Sequence, residues 1–274
     1  LAQQPGGLGF LVGLRADLLA AMDSSAAVPP AADQSSADDS AAAAAERERW
    51  RSLDASLRRL LGVWFDAGLL ELQRLTMEKT PASLLEKIMS YERVHAIRDW
   101  SDLRWRLGGP GRRLFAFLHP RMPGEPLVFV QCCLRTAIPS RLADVLPDQT
   151  TTDDGDCDGS GDESAASNDD HQRNVAVFYS ISSPFTGLRG VPLGRLLIKQ
   201  VLSTLAAEQP QLDTFVTLSP VPGFRSWLEA RLAQRGEAKA DEAKALDRLL
   251  TALESDGLDA SSPFESPLVN EKAA

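Results

Sequence analysis

The sequence predicts an α+β fold in which a helical domain, residues 1–108, precedes an α/β domain, residues 109–235. Two observations predict it. Before the glycine-rich turn at 108–111, apolar residues recur at the spacing of one helix face. After that turn, runs of β-branched and aromatic residues alternate with turns that contain Gly and Pro, which is typical of strands. Residues 236–274 are mostly polar and predict a tail with one helix near 246–253.

The helical domain is expected to contain several amphipathic helices. The first apolar stripe comprises Leu11, Leu14, Leu18, Leu19 and Met22. The second comprises Trp50, Leu53, Leu57, Leu60, Leu61 and Trp64, and we expect it to continue after Gly68 through Leu69, Leu70, Leu72 and Leu75. Thr80 and Pro81 predict the next helix start, because a hydroxyl can cap and Pro suits the first helical position. A short helix over 99–107 would end at Gly108.

The α/β domain is expected to hold four strands and two helices. The predicted strands are residues 112–118, 127–134, 175–181 and 213–218, and the predicted helices are 195–208 and 224–235, with Trp227, Leu228 and Leu232 inside. The first two strands flank a short turn region and therefore predict an antiparallel hairpin. Cys132 and Cys133 are adjacent in the second strand, so their side chains should point to opposite faces of the sheet.

The net charge of −9 is concentrated in two low-complexity segments. Residues 148–170 hold nine acids and residues 23–45 hold four, with no Lys or Arg in either. The other 228 residues carry a balance of +4, so the acidity does not indicate a basic partner. We expect a disordered surface insert at 148–170, and disorder or a frayed helix at 23–45. No nucleic-acid partner is expected, and no apolar run approaches the roughly 20 residues that span a bilayer.

Cysteine and histidine usage predicts neither a disulfide framework nor a metal site. The chain has three cysteines, which is typical of a reducing compartment, and its three histidines lack metal-ligand spacing. His95 is interpreted as structural, and His119 as a solvated or capping residue at the hairpin turn. His171 ends the acidic insert, where we expect no catalytic role. Arg15 interrupts the apolar stretch near the start, which does not read as a secretory signal.

The first candidate site is the glycine loop at 187–194, between a predicted strand and a predicted helix. Glycines let the backbone approach a ligand and a helix N-terminus adds a positive dipole end, so the loop could bind pyrophosphate without a lysine. Its spacing is neither the dinucleotide fingerprint nor a P-loop. The alternative is an ordinary turn with packing glycines.

The second candidate is Ser219, in the segment LSPVPGF at 218–224. Two prolines and a glycine restrict the backbone around its hydroxyl, which is a way to hold that group rigidly. From spacing alone, a turn or capping serine is the simpler interpretation. The segment is no G-x-S-x-G elbow and no histidine follows it, so a hydrolase triad is not supported.

Taken together, these segments resemble the malonyl-CoA decarboxylase family. The resemblance runs over most of the chain, through residues 9–19, 61–65, 91–95 with Trp100, 123–128 and 178–182. Its most specific parts are GLRGVPLG at 187–194 with 197–199, and LSPVPGF at 218–224. Several long matching segments in the same order as in the family are stronger evidence of membership than any single motif.

The resemblance implies a GNAT-like second domain, incomplete in this chain, with a mixed, mostly antiparallel sheet. It implies that the coenzyme A (CoA) pyrophosphate binds the loop of Arg189, Gly190, Val191, Pro192, Leu193, Gly194 and Arg195. It implies that Ser219 is the active-site serine, and that malonyl-CoA is converted into acetyl-CoA and CO2 in fatty-acid metabolism. No cofactor and no metal are expected, because the thioester carbonyl itself accepts the electron pair that CO2 leaves behind.

Two departures from the family pattern bear on activity. The family's catalytic histidine lies well beyond the serine segment, and none of the 55 residues after Ser219 is His. The family commonly has an acidic residue where Pro192 stands. The sequence therefore predicts a truncated chain with little or no activity of its own, with an inactive paralogue as the alternative.

Two other functions remain open. A regulatory protein that binds CoA thioesters without chemistry is favoured by Pro192 and by the missing histidine, whereas the serine loop and the helical domain disfavour a GNAT acyltransferase. The resemblance also implies malonyl-CoA and acetyl-CoA as ligands, and an intracellular location that is mitochondrial, peroxisomal or cytoplasmic. The apolar stripes of the helical domain could join copies into a homo-oligomer.

Overall fold

A computed structural model of the 274-residue chain describes residues 1–27, 37–140, 142–146, 172–219, 221, 223–234, 244–249 and 251. The helices are α1 (Gly7–Ala27), α2 (Ala37–Trp64), α3 (Ala82–Tyr91), α4 (Trp100–Gly108), α5 (Leu193–Glu208) and α6 (Phe224–Ala233). The strands are β1 (Glu71–Leu75), β2 (Arg112–Leu118), β3 (Val128–Arg135), β4 (Val175–Ser182) and β5 (Thr214–Thr217). The chain forms two compact units, residues 1–219 and residues 220–274.

The five strands form one sheet in the order β1-β2-β3-β4-β5. The first four are antiparallel neighbours and β5 is parallel to β4. The predicted hairpin is present, with Arg112 opposite Cys133 and Phe117 opposite Val128. The prediction of an α+β fold with a mixed, mostly antiparallel sheet is confirmed.

A β-bulge interrupts the pairing of β3 with β4. Gln131 lies opposite Ser180, but its neighbour Cys132 lies opposite Phe178, so Tyr179 is the extra residue. A bulge bends the strand and redirects the side chains beyond it. The parallel pairing with β5 also ends at Phe178, opposite Thr217. The end of β4 therefore differs from the rest of the strand in both register and neighbours.

Each face of the sheet carries helices. On one face, α1, α2 and α5 bury leucines against the side chains of β2, β3 and β4. On the other, α3 and α4 pack over Leu114, Ala116 and Phe129. Cys132 belongs to the first core and Cys133 lies opposite, which confirms the prediction that they face opposite ways. No helix within the described residues is long and apolar enough to cross a bilayer.

The segment after Gly68 is a strand, so the prediction that the second helical stripe continues to Leu75 is wrong. Helix α2 ends at Trp64, a single 3-10 turn at Ala67–Leu69 redirects the chain, and Glu71–Leu75 then pairs with β2 at all five positions. Pairing along a complete strand edge outweighs a short helical pattern of leucines, because strand propensity depends strongly on tertiary context. The sheet thus begins at Glu71, inside the range 1–108 that was predicted to be helical. The boundary between the two domains at 108 and 109 stays a prediction.

Three local predictions meet different outcomes. The short helix is confirmed as α4, capped by the Asp99 carboxylate, which accepts a hydrogen bond from the Asp102 amide at 2.8 Å. The prediction that Thr80 caps α3 is wrong: its hydroxyl accepts from the Thr76 amide at 2.9 Å and closes the turn before α3. In the segment 23–45, residues 23–27 end α1 and residues 37–45 begin α2, while 28–36 lie outside the described residues.

The second unit contains α6 and a helical stretch at 244–249, in agreement with the helix expected near 246–253. Within α6, Leu228 is buried as predicted, but Trp227 is 48% exposed, so its predicted place inside is wrong. The Trp227 ring lies against the Phe224 ring instead, with centroids 5.7 Å apart. The acidic segment 148–170 and His171 lie outside the described residues.

Candidate functional site

The predicted pyrophosphate loop lies between the end of β4 and the start of α5. A 3-10 turn, Thr186–Leu188, leads into Gly190, which has φ +80. The Val191 amide donates to the Leu188 carbonyl at 3.0 Å, and the Leu193 amide donates to the Val191 carbonyl at 2.8 Å. The loop is therefore a compact, hydrogen-bonded turn that delivers the chain to the N-terminus of α5.

Helix α5 presents its positive end at this loop. The helix has 16 residues, and its buried face of Leu193, Leu197, Val201 and Leu205 fixes it against the sheet. Gly194 and Arg195 lie in its first turn, where backbone amides have no acceptor within the helix. Such amides, with the aligned peptide dipoles behind them, favour an anion. The pyrophosphate site on these amides stays a prediction.

Two glycines of the loop region are required by geometry. Gly190 has the positive φ that L-residues avoid, so a side chain there would strain the turn. A Cβ on Gly187 would lie 1.9 Å from the carbonyl oxygen of Val12, so only Gly allows α1 to approach this closely. Gly194 is different, because a Cβ there would meet only the Ile181 side chain at 3.7 Å. The glycines thus shape the loop mainly against α1.

Arg15 on α1 holds the loop from beneath. Its guanidinium is almost fully buried and donates at 2.7 Å to the carbonyls of both Gly187 and Arg189. Its Nε donates at 2.8 Å to the Asp54 carboxylate on α2. In the peptide unit after Arg189, the Gly190 amide lies on the side opposite the carbonyl that Arg15 binds, whereas the Leu188 amide already donates to the Phe185 carbonyl at 2.9 Å. The helical segment therefore helps to form the loop.

A cavity of about 310 Å3 opens beside the loop, between the end of α2 and the first two turns of α5. It is lined by Gly62, Phe65, Asp66, Val191, Pro192, Leu193, Arg195, Leu196 and Lys199. Its wall combines apolar surface with two cations and one carboxylate. Another cation, Arg58, packs over Gly190 at the loop. This excess of positive charge suits a polyanionic ligand with an apolar part.

Ser219 lies two residues after the end of β5 and is exposed. The Leu218 amide donates to the Phe178 carbonyl at 2.8 Å, so Ser219 comes one residue after the last bond between β5 and β4. Because parallel strands have their carboxyl ends at the same edge, β4 delivers the loop and β5 delivers Ser219 to one edge of the sheet. The structure brings both candidate sites to that edge.

His119 supports the cavity wall from behind. It is buried, so the prediction of a solvated histidine is wrong, although it does cap a turn: its Nδ1 accepts from the Arg121 amide at 3.1 Å. Its Nε2 donates to the Trp64 carbonyl at 3.1 Å, and its ring meets Phe65 edge-on at 5.3 Å. Burial lowers the pKa of His119, which favours the neutral ring.

Sequence reasoning did not identify Arg15, Arg58 or Lys199 as parts of this site. Arg15 had a visible signal, since an arginine within an apolar helix face needs a buried partner. The sequence carries no signal that Arg58 and Lys199 belong to the site, because many other cations on solvent-exposed helix faces look the same. In the described part of the chain, no group of three or more His, Cys, Asp or Glu side chains could hold a metal ion.

Sequence profiles decide the family. The profile described as the malonyl-CoA decarboxylase C-terminal domain matches residues 68–267, and that of the N-terminal domain matches residues 1–65. The chain belongs to the malonyl-CoA decarboxylase family. The boundary between the two profiles coincides with the turn between α2 and β1.

Relatives in this family include two animal proteins named malonyl-CoA decarboxylase, mitochondrial. The goose protein (Anser anser anser) is 35% identical over 86% of this chain, and the mouse protein is 34% identical over 86%. The crystal structure of malonyl-CoA decarboxylase from Rhodopseudomonas palustris is 33% identical with a TM-score of 0.64, over 94% of this chain and 58% of that one. The Agrobacterium vitis structure is 35% identical with a TM-score of 0.64, over 96% of this chain and 55% of that one. This chain spans 40% of the goose relative and 42% of the mouse relative.

Proposed function

We propose that this chain binds a CoA thioester, with the pyrophosphate on the loop of residues 189–195 and the acyl group directed toward Ser219. The observation that carries the proposal is the convergence of both segments at one edge of the sheet. The N-terminus of α5 and the cavity cations Arg195 and Lys199 would bind the phosphates of such a ligand. The exposed Ser219 hydroxyl would contact its acyl group.

The free edge of β4 supports a path between those two ends. Pairing with β5 stops at Phe178, so the residues from Tyr179 to Ser182 have no strand hydrogen-bonded on that side in the part of the chain that the structure describes. The pantetheine arm of CoA carries two amides. An extended ligand with amides can add to an open strand edge through backbone hydrogen bonds. The arm would thereby run from the loop toward Ser219.

In the family's reaction, malonyl-CoA and one proton would give acetyl-CoA and CO2. The bond between the carboxylate carbon and the α-carbon breaks, and its electron pair moves into the thioester to form an enolate. The α-carbon then takes up the proton. The thioester carbonyl is the electron sink, so the proposed reaction uses no cofactor. The Ser219 hydroxyl would donate a hydrogen bond to the substrate carboxylate or to the developing enolate oxygen.

A second candidate function is a protein that binds CoA thioesters without consuming them. One sequence observation favours it: Pro192 stands where the family commonly has an acidic residue. Pro192 lies directly before α5 and lines the cavity, and it brings neither a carboxylate nor a backbone N–H to the loop. Ligand binding alone would satisfy this alternative.

Two measurements on the same protein test both functions. Calorimetry with acetyl-CoA should show saturable binding, and chromatography of malonyl-CoA after incubation should show acetyl-CoA. Ser219→Ala should keep the binding and lose about a hundredfold in rate, the usual effect of removing one oxyanion donor. Ser56→Ala is the matched control, because that exposed hydroxyl bonds only within α2, to the Ser52 carbonyl at 2.9 Å.

The outcomes separate the candidates. Absence of acetyl-CoA binding contradicts both. Binding of malonyl-CoA with complete recovery of the intact thioester supports the non-catalytic alternative. Full turnover by Ser219→Ala would exclude Ser219 from the reaction even if the protein is a decarboxylase.

The cellular setting is a separate proposal. The animal relatives are named mitochondrial, so we propose a mitochondrial role in fatty-acid metabolism, with the peroxisome and the cytosol as the other compartments that the resemblance implies. Fractionation of cells that express the natural full-length protein, followed by immunodetection, would distinguish the three.

A further inference from the structure

A buried carboxylate lies beside the end of β4 and takes no part in the proposed chemistry. Glu92, the residue after α3, is only 5% exposed. Both of its oxygens accept from the Ser180 hydroxyl at 2.8 Å, and Oε1 also accepts from the Ser182 hydroxyl at 3.0 Å. Oε2 accepts a short hydrogen bond from the Gln131 side-chain amide. Three side chains from two neighbouring strands therefore converge on one carboxylate.

Backbone amides complete the coordination of Glu92. The Val94 amide donates to Oε1 at 2.8 Å and the His95 amide at 3.1 Å, so the chain after α3 curls around the carboxylate. All five groups that donate to Glu92 are neutral. A buried carboxylate is tolerated when several donors replace its water, and removing the carboxylate would leave those donors buried without an acceptor. This cluster is therefore strongly constrained by its own chemistry.

The buried cation Arg106 binds other groups. Arg106 on α4 forms a two-pronged pair with Asp102, with distances of 2.8 and 3.0 Å, and donates to the His95 and Ala96 carbonyls. It reaches the Gln131 side-chain oxygen at 3.3 Å, where the Tyr179 hydroxyl also donates at 3.2 Å. Gln131 thus joins Arg106 to Glu92, and the loop between α3 and α4 is fixed to the sheet.

The serines bonded by Glu92 lie on the part of β4 that β5 does not cover. Ser180 and Ser182 come after the bulge at Tyr179, and the pairing of β4 with β5 has ended at Phe178. The bulge directs Ser180 and Ser182 toward Glu92, while Ile181 packs into the opposite core. This strand end is held on one side by pairing with β3, up to Ser182 opposite Phe129, and on its face by the bonds to Glu92. Loss of the Glu92 bonds would leave the pairing with β3 to set its distance from the Leu218 segment.

We propose that Glu92 is a positioning residue for the acyl end of the CoA thioester. By binding Ser180, Ser182 and Gln131, it holds the bulged end of β4 away from the Ser219 segment, so that the acyl group and the adjoining part of pantetheine can enter between them. The inference rests on the proposed CoA-thioester function. It assigns to a side chain more than 30 residues from either candidate motif the task of keeping that edge open.

Binding experiments with two ligands distinguish this positioning role from a general loss of stability. Acetyl-CoA fills the whole path, whereas adenosine 3′,5′-bisphosphate reaches only the loop at residues 189–195. Glu92→Gln replaces one accepting oxygen with an amide that faces the serine hydroxyls. It should weaken acetyl-CoA binding about tenfold and change the binding of the bisphosphate by less than about twofold.

Glu125→Gln is the matched control. That carboxylate is half-buried in the turn between β2 and β3, pairs with Lys87 at 2.7 Å and accepts from the Tyr91 hydroxyl at 3.4 Å. Neither of these partners donates to Glu92. It should leave both affinities within about twofold of the wild type. Calorimetry measures both ligands on the same protein sample, and the thermal midpoint of each variant reports whether the fold is retained.

The results distinguish this inference from the proposed function. If the wild type binds neither ligand, the proposed function fails and the inference fails with it. If the wild type binds both, and Glu92→Gln weakens both equally or neither, the positioning role is overturned while the CoA site stands. Should Glu92→Gln not fold, Ser182→Ala decides: it removes one donor, and a loss confined to acetyl-CoA supports the role, whereas equal or unchanged affinities refute it.

Discussion

His119 is held as a neutral imidazole by the end of α2 and the turn after β2. Nδ1 accepts from the Arg121 amide, so Nε2 carries the proton that it donates to the Trp64 carbonyl. A second proton on Nδ1 would break the first of these bonds and place a charge in a buried site. Burial is the main reason that the pKa is lowered from its usual value of 6.5, and the nearby Arg121 charge acts in the same direction.

This histidine should make stability depend on pH. Because the folded pKa lies below the unfolded one, the unfolded chain binds more protons between the two values. The free energy of unfolding should therefore fall as pH drops below about 6.5, by at most about 1.4 kcal/mol per pH unit for one group. His119→Gln cannot titrate and retains an N–H group that can donate to the Trp64 carbonyl, so thermal midpoints from pH 7.5 to 5 should fall less steeply than in the wild type. Parallel curves would contradict the assignment.

The sequence alone predicted the environments of some individual side chains and not of others. Cys132 and Cys133 were placed on opposite faces because strand geometry fixes that alternation, and burial raises the pKa of Cys132 to about 12, as expected for a thiol within a core. His119 and Trp227 were misjudged because burial depends on which segments cover a residue. The role of Glu92 carried no signal in the sequence, since the side chains that donate to it come from positions 131, 180 and 182.

Among the elements, α1 has the largest influence on the loop at 187–195. Its backbone at Val12 lies against Gly187, and its Arg15 binds two loop carbonyls and the Asp54 carboxylate of α2. A loop fixed in this way needs little reordering when a ligand binds, which preserves affinity. The arginine thus acts on a ligand through the backbone that it holds.

Arg15→Met should reduce affinity for acetyl-CoA about tenfold, because the apolar stem stays while the carbonyls of Gly187 and Arg189 lose their donor. Some stability should be lost as well, since Asp54 loses its partner. Arg51→Met is the control: that exposed arginine on α2 meets only Glu48, at 3.4 Å. Calorimetry well below the thermal midpoint separates the two effects. An unchanged affinity in Arg15→Met would show that the loop keeps its shape without this contact.

Predictability also differed among elements. Strands β2, β3 and β4 and helix α5 agree with their sequence patterns, because each is long and has a clear apolar face. Strand β1 was missed because five residues with two leucines fit either pattern, and only the edge of β2 decides between them. The bulge at Tyr179 also carries no local signal, since it arises from how two strands are registered. The site's backbone was therefore predictable, and the open edge beside it was not.

For the whole molecule, the distribution of charge matters more than its sum. The net −9 comes mainly from residues 148–170, whereas Arg195 and Lys199 line the cavity and Arg58 packs at the loop. A polyanionic ligand on the loop interacts most strongly with the charges around it, because salt screens exposed charges over about 10 Å at ordinary ionic strength. The overall acidity is thus compatible with a CoA site.

The helices α1 and α2 also expose apolar side chains that the rest of the described chain does not cover. Phe10 is 58% exposed and Leu14, one turn later on α1, is 40% exposed; on α2, Leu53, Leu60 and Val63 are 48%, 41% and 66% exposed. Scattered exposed leucines are ordinary, but several at one-turn and two-turn spacing on neighbouring helices favour association. The expectation of a homo-oligomer joined through the helical part rests on these residues.

Charge placed on this surface should dissociate the oligomer. Val63→Glu and Phe10→Glu each put a carboxylate where an interface between copies would exclude water, and an unpaired buried charge costs several kcal/mol. Light scattering after size-exclusion chromatography should give a mass above that of one chain for the wild type and a lower mass for both variants. Ile138→Glu is the control, because that side chain is 61% exposed but lies in the loop after β3. A wild type of single-chain mass, or a control that dissociates equally, would refute an interface through the helices.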